Sequence, residues 1–531
     1  MTPIAVALCK ENEMSFEDVF RYQYTISSSE LDLAGFTTHT LGPVVLQTGE
    51  ALGCLELHDA RGRLFGLIFG VSAPHDGQPV DTFLRDRFDS QANDAASVFE
   101  SRLTHLSGRF GVIVTLGDDH RFYTDASGMI GANYCAESKI AATSVNLCIP
   151  RPADADGLAA AKPGVFALDY TSDHAVSRLN PNHYLDLDTF ETKRFWPRED
   201  DIFHLDPPQY AAALDEIILA TRQIINRMAA ENSVAVPLSG GFDSRSIVAL
   251  ADDVTLHGIS QIHTHVTTKI NITDAAVANQ ICGMKSIGLE VHNTLRTRRF
   301  PGIDSPKYIE SRCKIANGGM GQPHNFLLNG TYTRVKRDSV VLRGQQIPIL
   351  RGLFVNNADS AHWTADTIAA HFMNLLQLND LEDEALRADF KMRVSAIYDE
   401  LPTNARQRAL DLLLVEAVNG PDLTSWMCAV SQSFYTSPYN SRRMIQLFSS
   451  FDTKFRRAGH AMNLLLLRAD PSLMGVAFLG AAKKVSSAEN DQLIEARRKW
   501  LEGIRSTYRW VFGHDAEAVR MIRFRTDGIV R

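Results

Sequence analysis

SVAVPLSGGFDSRSIVALADD, residues 233–253, decides how the second half of the chain folds. An apolar run from Ser233 to Leu238 stops at Ser239-Gly240-Gly241. Asp243 follows, and helical spacing begins at Arg245. The pattern predicts a strand over Ser233–Leu238, a tight turn, and a helix over Arg245–Ala251. At the carboxyl end of a parallel strand such a turn aims main-chain amides at one spot. Gly240 and Gly241 let a ligand approach without a Cβ in the way, and the positive end of the helix dipole favours an anion there. Ser239 and Ser244 add hydroxyl donors. Asp243 would repel phosphate alone, but it suits a magnesium ion that bridges phosphate oxygens. The predicted ligand is the pyrophosphate end of a nucleoside triphosphate. A strand–turn–helix corner with no ligand is the plain alternative. S-G-G-x-D-S arises by chance in a chain of this length on the order of once in a thousand. The spacing differs from G-x-x-x-x-G-K-[ST], and without a loop lysine, kinase or GTPase chemistry is disfavoured.

Around this corner the strand and helix signals alternate. HLDPPQY (204–210) offers Asp206 as an N-cap and Pro207 at the first helical position. Apolar residues from Tyr210 to Met228 then recur at helical spacing. A strand is predicted at Gln261–Thr267, then a helix opened by Thr273 and running to about Lys285. SVVLRG (339–344) reads as a further buried strand. Such alternation implies a parallel sheet with helices on its faces. Beyond about residue 360 the pattern is largely helical. Residues 1 to about 200 differ: short apolar runs such as GPVVLQTG and RLFGLIFGV are separated by turn residues. Hairpins are expected at Gly111–Leu116 with Arg121–Thr124, and around a turn near Asp188-Thr189. A helical stretch is expected at Asp94–Leu106.

The bulk numbers fit a multidomain globular protein. The chain has 531 residues, a formal net charge of -8, 45% hydrophobic and 22% charged residues. No basic run suggests nucleic acid as a partner. The seven cysteines are scattered, no CxxC occurs, and a zinc site of the usual spacing is not expected. MTPIAVALCKENE lacks the basic residues of a signal peptide, and LLLL at 464–467 is too short to span a bilayer. A soluble, cytoplasmic protein without a membrane partner is the expectation. H-E-x-x-H and G-x-S-x-G are absent, which gives metalloprotease and serine-hydrolase readings no footing.

SGGFDS at 239–244 is the PP-loop signature of N-type ATP pyrophosphatases, and VPLSGGFDSRSIVAL resembles the asparagine synthetase superfamily. GRFGVIVTLGDDHRFYTDASGMIGANY (108–134) resembles that family's "G-x-F … D-x-x-G … Y" segment. RLNPNHYLDLDTFETKRFWP (178–197) resembles the end of its amino-terminal domain. The resemblance spans roughly residues 100 to 350. It implies an α/β chain of two domains. Residues 1–200 would form a degenerate class II glutamine-amidotransferase-like domain, an Ntn-hydrolase-like β-rich αββα sandwich. Residues 201–531 would form a PP-loop synthetase domain of the adenine-nucleotide-α-hydrolase type. Its nucleotide-binding core would cover about 201–355 and a helical extension 356–531. It implies an ATP-dependent, AMP- and pyrophosphate-forming amide ligase acting on a small-molecule or peptide carboxylate and an amine, with a homo-oligomer compatible. ATP and Mg2+ are the implied cofactors. Ser239, Gly240, Gly241, Phe242, Asp243 and Ser244 would hold them, with Asp243 on the metal and the strand end His263–Val266 beside the adenine. Asp274 falls where relatives often carry an acidic or serine residue, although a helix-terminus charge explains it equally.

The pattern breaks in two places. Position 2 is Thr2 rather than the cysteine of a working glutaminase, and the nearest cysteine, Cys9, lies in an apolar run. A scaffold without glutaminase activity is expected, as in β-lactam synthetases and lasso-peptide cyclases. The family's acidic loop is replaced by VLRGQQIPILRGLF (341–354), which keeps Gly344 but has no acid. Arg343 and Arg351 either neutralise phosphate oxygens or are solvated or paired. Lys483 and Lys484 in AAKKVSS stand as catalytic candidates, with solvated lysines as the bland reading. Asn440 and Arg442 in SPYNSRRMIQL (437–447) either shape an acceptor pocket or belong to a capped helix with exposed arginines. Two other readings remain: a catalytically inactive nucleotide-binding homologue, and a PP-loop tRNA-modifying or thiolation enzyme, which the acidic balance and the missing CxxC disfavour.

Overall fold

The computed structural model describes residues 2–149, 167–269, 271–295, 305–319, 325–352, 363–378 and 383–476. Among them the strands form three sheets, two of six strands and one of five. In the first half, period-two alternation sorts side chains between two packing layers. Leu67, Phe69, Ile113 and Phe122 of one antiparallel sheet meet Tyr24, Ile26 and Leu46 of the other. Their neighbours Phe65, Val112, Val114 and Tyr123 point the opposite way, into a core shared with helices Ala95–Leu103 and Tyr210–Glu231. Helices Ile4–Glu11 and Val145–Cys148 cover the outer face of the sheet that carries Tyr24, Ile26 and Leu46. Gly111 makes room for an aromatic ring within its own sheet: a Cβ there would meet the ring of its register partner Phe69 at 2.3 Å. The expected hairpins form. Leu106–Leu116 pairs with Asp119–Thr124 around Gly117, whose φ of 63° suits glycine. His183–Asp186 pairs with Thr192–Arg194. The helix expected at Asp94–Leu106 stops at Leu103, because Leu106 already opens a buried strand.

The third sheet is parallel throughout, in the order Glu290–Asn293, Gln261–Val266, Val234–Pro237, Val340–Leu342, Phe434–Thr436. Both faces of its inner strands are covered. Val234, Val236, Val340 and Leu342 enter one core, while Ala235 and Val341 enter another. Double coverage explains why these strands read as unbroken apolar runs. The edge strand Phe434–Thr436 comes from the stretch expected to be helical, so the sheet draws on residues beyond about 355. Glu290–Asn293 also escaped the sequence pattern: it is a short edge strand with three of its four residues exposed.

The chain is therefore mixed α/β: two antiparallel sheets, one parallel sheet, and helices around them. One hydrophobic core runs on from the antiparallel sheet through helix Tyr210–Glu231 to the parallel sheet. No described helix is long and apolar enough to cross a membrane.

Candidate functional site at the carboxyl edge of the parallel sheet

The Ser-Gly-Gly corner follows the central strand Val234–Pro237. The chain passes to one side of this strand for Gln261–Val266 and later to the other for Val340–Leu342. The strand order thus reverses here, which is where open parallel sheets form a crevice beyond their carboxyl ends. A cleft of about 350 Å³ occupies the position, lined by Ser239, Asp243, Ser244, His263, Thr264, His265, Asp274, Arg343 and Gly344. That volume lies at the lower end of the range for small-molecule sites.

The helix after the corner is Phe242–Leu250, three residues earlier than the periodicity predicted, so Asp243 sits in its first turn. Gly241 is its N-cap with φ −80°, a conformation open to any residue. A Cβ there would meet only Ser239 Oγ, at 3.5 Å. The fold does not demand glycine at this position; the glycine keeps clear the space before the helix N-terminus.

Polar groups of the loop satisfy one another. Ser239 N–H donates to Ser244 Oγ at 3.0 Å, and Gly241 N–H to Ser239 Oγ at 3.3 Å. Gly240 N–H donates to Asp274 Oδ1 at 2.9 Å. Asp274, in the first turn of helix Asn271–Lys285, therefore puts a carboxylate against the loop amide predicted to face phosphate. Arg245 braces the loop from below: it donates to Gly240 O and to the carbonyls of Leu473 and Val476.

Arg343 and Gly344 arrive from the neighbouring strand end. Arg343 packs over the Trp426 ring, 5.2 Å from its centre, and pairs with no carboxylate among the described residues. Burial holds its guanidinium below its usual pKa. Arg351 does pair: its Nη1 donates to Asp243 Oδ1 at 2.9 Å, and it lies 4.9 Å over the Phe242 ring. Of the readings open for Arg351, pairing is the one observed. Burial pushes the Asp243 carboxyl above its ordinary pKa, and Arg351 pulls it back. Gly344 lies against the start of the helix, where a Cβ would meet Asp243 O at 2.4 Å. Gly344→Ala is expected to cost about 1–3 kcal/mol, since backbone must move to relieve the overlap; urea unfolding checks it.

Three candidates fall elsewhere. Val266 is buried, and its carbonyl accepts from Thr294 N–H; the side chains that reach the cleft from this strand are His263, Thr264 and His265. Asn440 and Arg442 are fully buried, which corrects the reading of exposed arginines for Arg442. Asn440 donates to Gly108 O and to Asp125 Oδ1 at 2.7 Å, while Arg442 bonds Asn182, Thr124 and Pro181. Both side chains are committed to the antiparallel half. Lys483 and Lys484 lie outside the described residues.

The imidazoles of His263, His265 and His292 cluster beside the loop, which no short-range spacing signalled. Burial pulls all three below the usual histidine pKa, His265 to about 3, so His263 and His265 are neutral at pH 7.

The groups present fit the anionic tail of ATP: a helix N-terminus, two hydroxyls and an arginine with no carboxylate partner among the described residues converge on one cleft. Mg2+ keeps several waters and takes phosphate oxygens, so it needs few protein ligands. Asp243 offers the oxygen that Arg351 does not hold. No protein-family model and no curated protein matches the chain.

Proposed function

We propose that the chain is an ATP-dependent, AMP- and pyrophosphate-forming amide ligase of the asparagine synthetase type. It joins a small-molecule or peptide carboxylate to an amine and has no glutaminase activity of its own. The observation that carries this reading is the position of the Ser-Gly-Gly corner at the strand-order reversal, faced by Arg343. In this reading the parallel sheet is a PP-loop fold and the paired antiparallel sheets are an Ntn-hydrolase-like αββα sandwich. ATP supplies AMP as a leaving group, which a free carboxylate lacks. The amides of the helix start and Arg343 hold pyrophosphate charge, and Asp243 holds magnesium. Anion entry displaces the Asp274 carboxylate from Gly240 N–H.

ATP–pyrophosphate exchange against a panel of carboxylates tests the proposal. Carboxylate-dependent exchange supports it. Nucleotide bound with neither AMP nor pyrophosphate formed favours a second reading, an inactive nucleotide-binding homologue. One observation speaks for that reading: Asp243 is engaged by Arg351, and the stretch 341–352 brings no second acid.

Among the described residues the antiparallel half supplies no nucleophile at its amino terminus. Thr2 is exposed and precedes a helix, Ile4–Glu11, not a strand. Cys9 is buried within that helix, and burial pushes its thiol up to about 11, so it is not a thiolate at neutral pH. No glutamate release from glutamine is expected; release that vanishes in Thr2→Ala would refute this part.

A further inference from the structure

The histidine cluster goes beyond the ligase reading and stands whether or not the cleft takes ATP. We propose that His263, His265 and His292 form a site for a zinc-class divalent transition metal, with its fourth coordination position open to the cleft.

The backbone sets up the cluster. His263 and His265 are two apart on strand Gln261–Val266 and so share one face. His292 on the adjacent parallel strand is the register partner of His265. The ring centres are 5.0, 5.1 and 5.3 Å apart. A Zn–N bond of about 2.0–2.1 Å puts each ring centre about 3.2 Å from the ion, hence about 5.2 Å from one another at the tetrahedral angle. The observed triangle already has that size. One nitrogen from each ring lies within 4.8 Å of the other two. Ring rotation about χ2 brings such atoms to the roughly 3.4 Å that shared tetrahedral coordination requires.

The hydrogen bonds around the cluster point the same way. Nδ1 of all three histidines is buried without a hydrogen-bond partner among the described residues. Three orphaned imidazole nitrogens gathered in one cluster are atoms that a single shared cation would satisfy. His292 Nε2 lies 3.4 Å from Glu290 Oε2, which leaves its Nδ1 lone pair free. A carboxylate behind a ligating histidine is the usual means of fixing its tautomer. The residue types, three imidazoles with no thiolate, suit Zn2+, Co2+ or Ni2+ rather than Mg2+ or Ca2+.

Positive charge nearby sets the character of the open position. Arg343 lines the same cleft as His263 and His265. A cation beside that guanidinium favours an anionic fourth ligand, such as a phosphate or carboxylate oxygen from the cleft.

The full chain, stripped with chelator and dialysed against Zn2+ or Co2+ without nucleotide, tests this. One equivalent retained per chain is expected, with the visible absorption of four- or five-coordinate Co2+. His265→Gln should abolish retention, and Glu290→Gln should weaken it by about 10–100-fold; circular dichroism establishes that each variant is folded. Wild-type protein that retains no equivalent overturns the proposal. So does an equivalent that survives in folded His265→Gln, or a weak six-coordinate Co2+ spectrum. If the rings instead form a stacking platform for a purine, the wild type retains no metal and adenosine binding falls in His265→Gln. Because no nucleotide is present, failure here leaves the ligase reading standing, and failure of exchange leaves the metal site standing.

Discussion

Carboxylate-dependent exchange of pyrophosphate into ATP is expected to fall at least about a hundredfold in Asp243→Ala, because losing one preorganised electrostatic group at a site of developing charge costs about 3 kcal/mol. The structure adds a complication that the experiment can resolve. Asp243 is ion-paired to Arg351, so removing the carboxylate also releases a guanidinium beside the cleft. If Asp243 acts by holding magnesium, the freed arginine cannot replace it. It can neutralise phosphate but cannot order waters and phosphate oxygens around a metal. Arg351→Met separates the two effects, since it keeps the carboxylate and removes its partner. Exchange in Arg351→Met should stay within about tenfold of the parent, a typical worth for a partly exposed pair of this kind. Equal losses in both variants would show that the pair acts as a structural unit and that Asp243 has no separate role with the metal. Undiminished exchange in Asp243→Ala removes this residue from the mechanism altogether.

The corner itself was legible because its signal is local: a buried strand, two glycines, and a helix start within twenty-one residues. Its partners were less so. Gly344 and Arg343 were found through their place in a family pattern, yet what makes glycine necessary at 344 is contact with the backbone of Asp243, a hundred residues away in sequence. Asp274 was singled out without a role, because only the fold brings it against Gly240. The histidine triad was missed for a related reason. H-x-H on a strand is two residues in alternation, and the third ligand comes from a short, mostly exposed edge strand that periodicity does not reveal. Cysteine pairs and helical histidine spacing, the short-range patterns of metal sites, do not describe ligands gathered by strand register. Arg442 reverses the usual expectation for arginine. It is fully buried, with Nε donating to Asn182 Oδ1, Nη2 to the carbonyls of Thr124 and Pro181, acceptors some 260 to 320 residues earlier, and the guanidinium 4.6 Å over the Phe195 ring.

The largest stability effect is expected where the antiparallel half meets the helices beyond residue 400. Arg194, at the end of strand Thr192–Arg194, forks onto Glu416 with two bonds of 2.9 Å. Asn182 and Asn180 donate to the same carboxylate at 2.6 and 3.1 Å. The Glu416 side chain is 0% exposed and that of Arg194 is 9%. Burial works against the Glu416 charge, but Arg194 and the two amides outweigh it and hold the carboxyl below its usual pKa. Glu416→Ala takes the fully buried carboxylate from the guanidinium, leaving it the half-exposed Glu400, and should cost about 3 kcal/mol, read as a drop in the urea midpoint. Replacing both partners, Arg194→Leu with Glu416→Leu, should cost clearly less, because no charge is left uncompensated. It should not be neutral, since Asn180 and Asn182 lose their acceptor. Acid acts on the same junction. Glu400 accepts from His183 at 2.7 Å and from Arg194, and these bonds lower its carboxyl from 4.5 to about 2. A depressed carboxyl stabilises the fold fully above its unfolded pKa and stops doing so as pH falls through the folded value. Parent stability should therefore decline between pH 4.5 and about 2. Glu400→Gln should flatten part of that decline while leaving the Glu416 contribution in place. A decline equally steep in Glu400→Gln would mean that other carboxylates govern acid unfolding and that this junction does not.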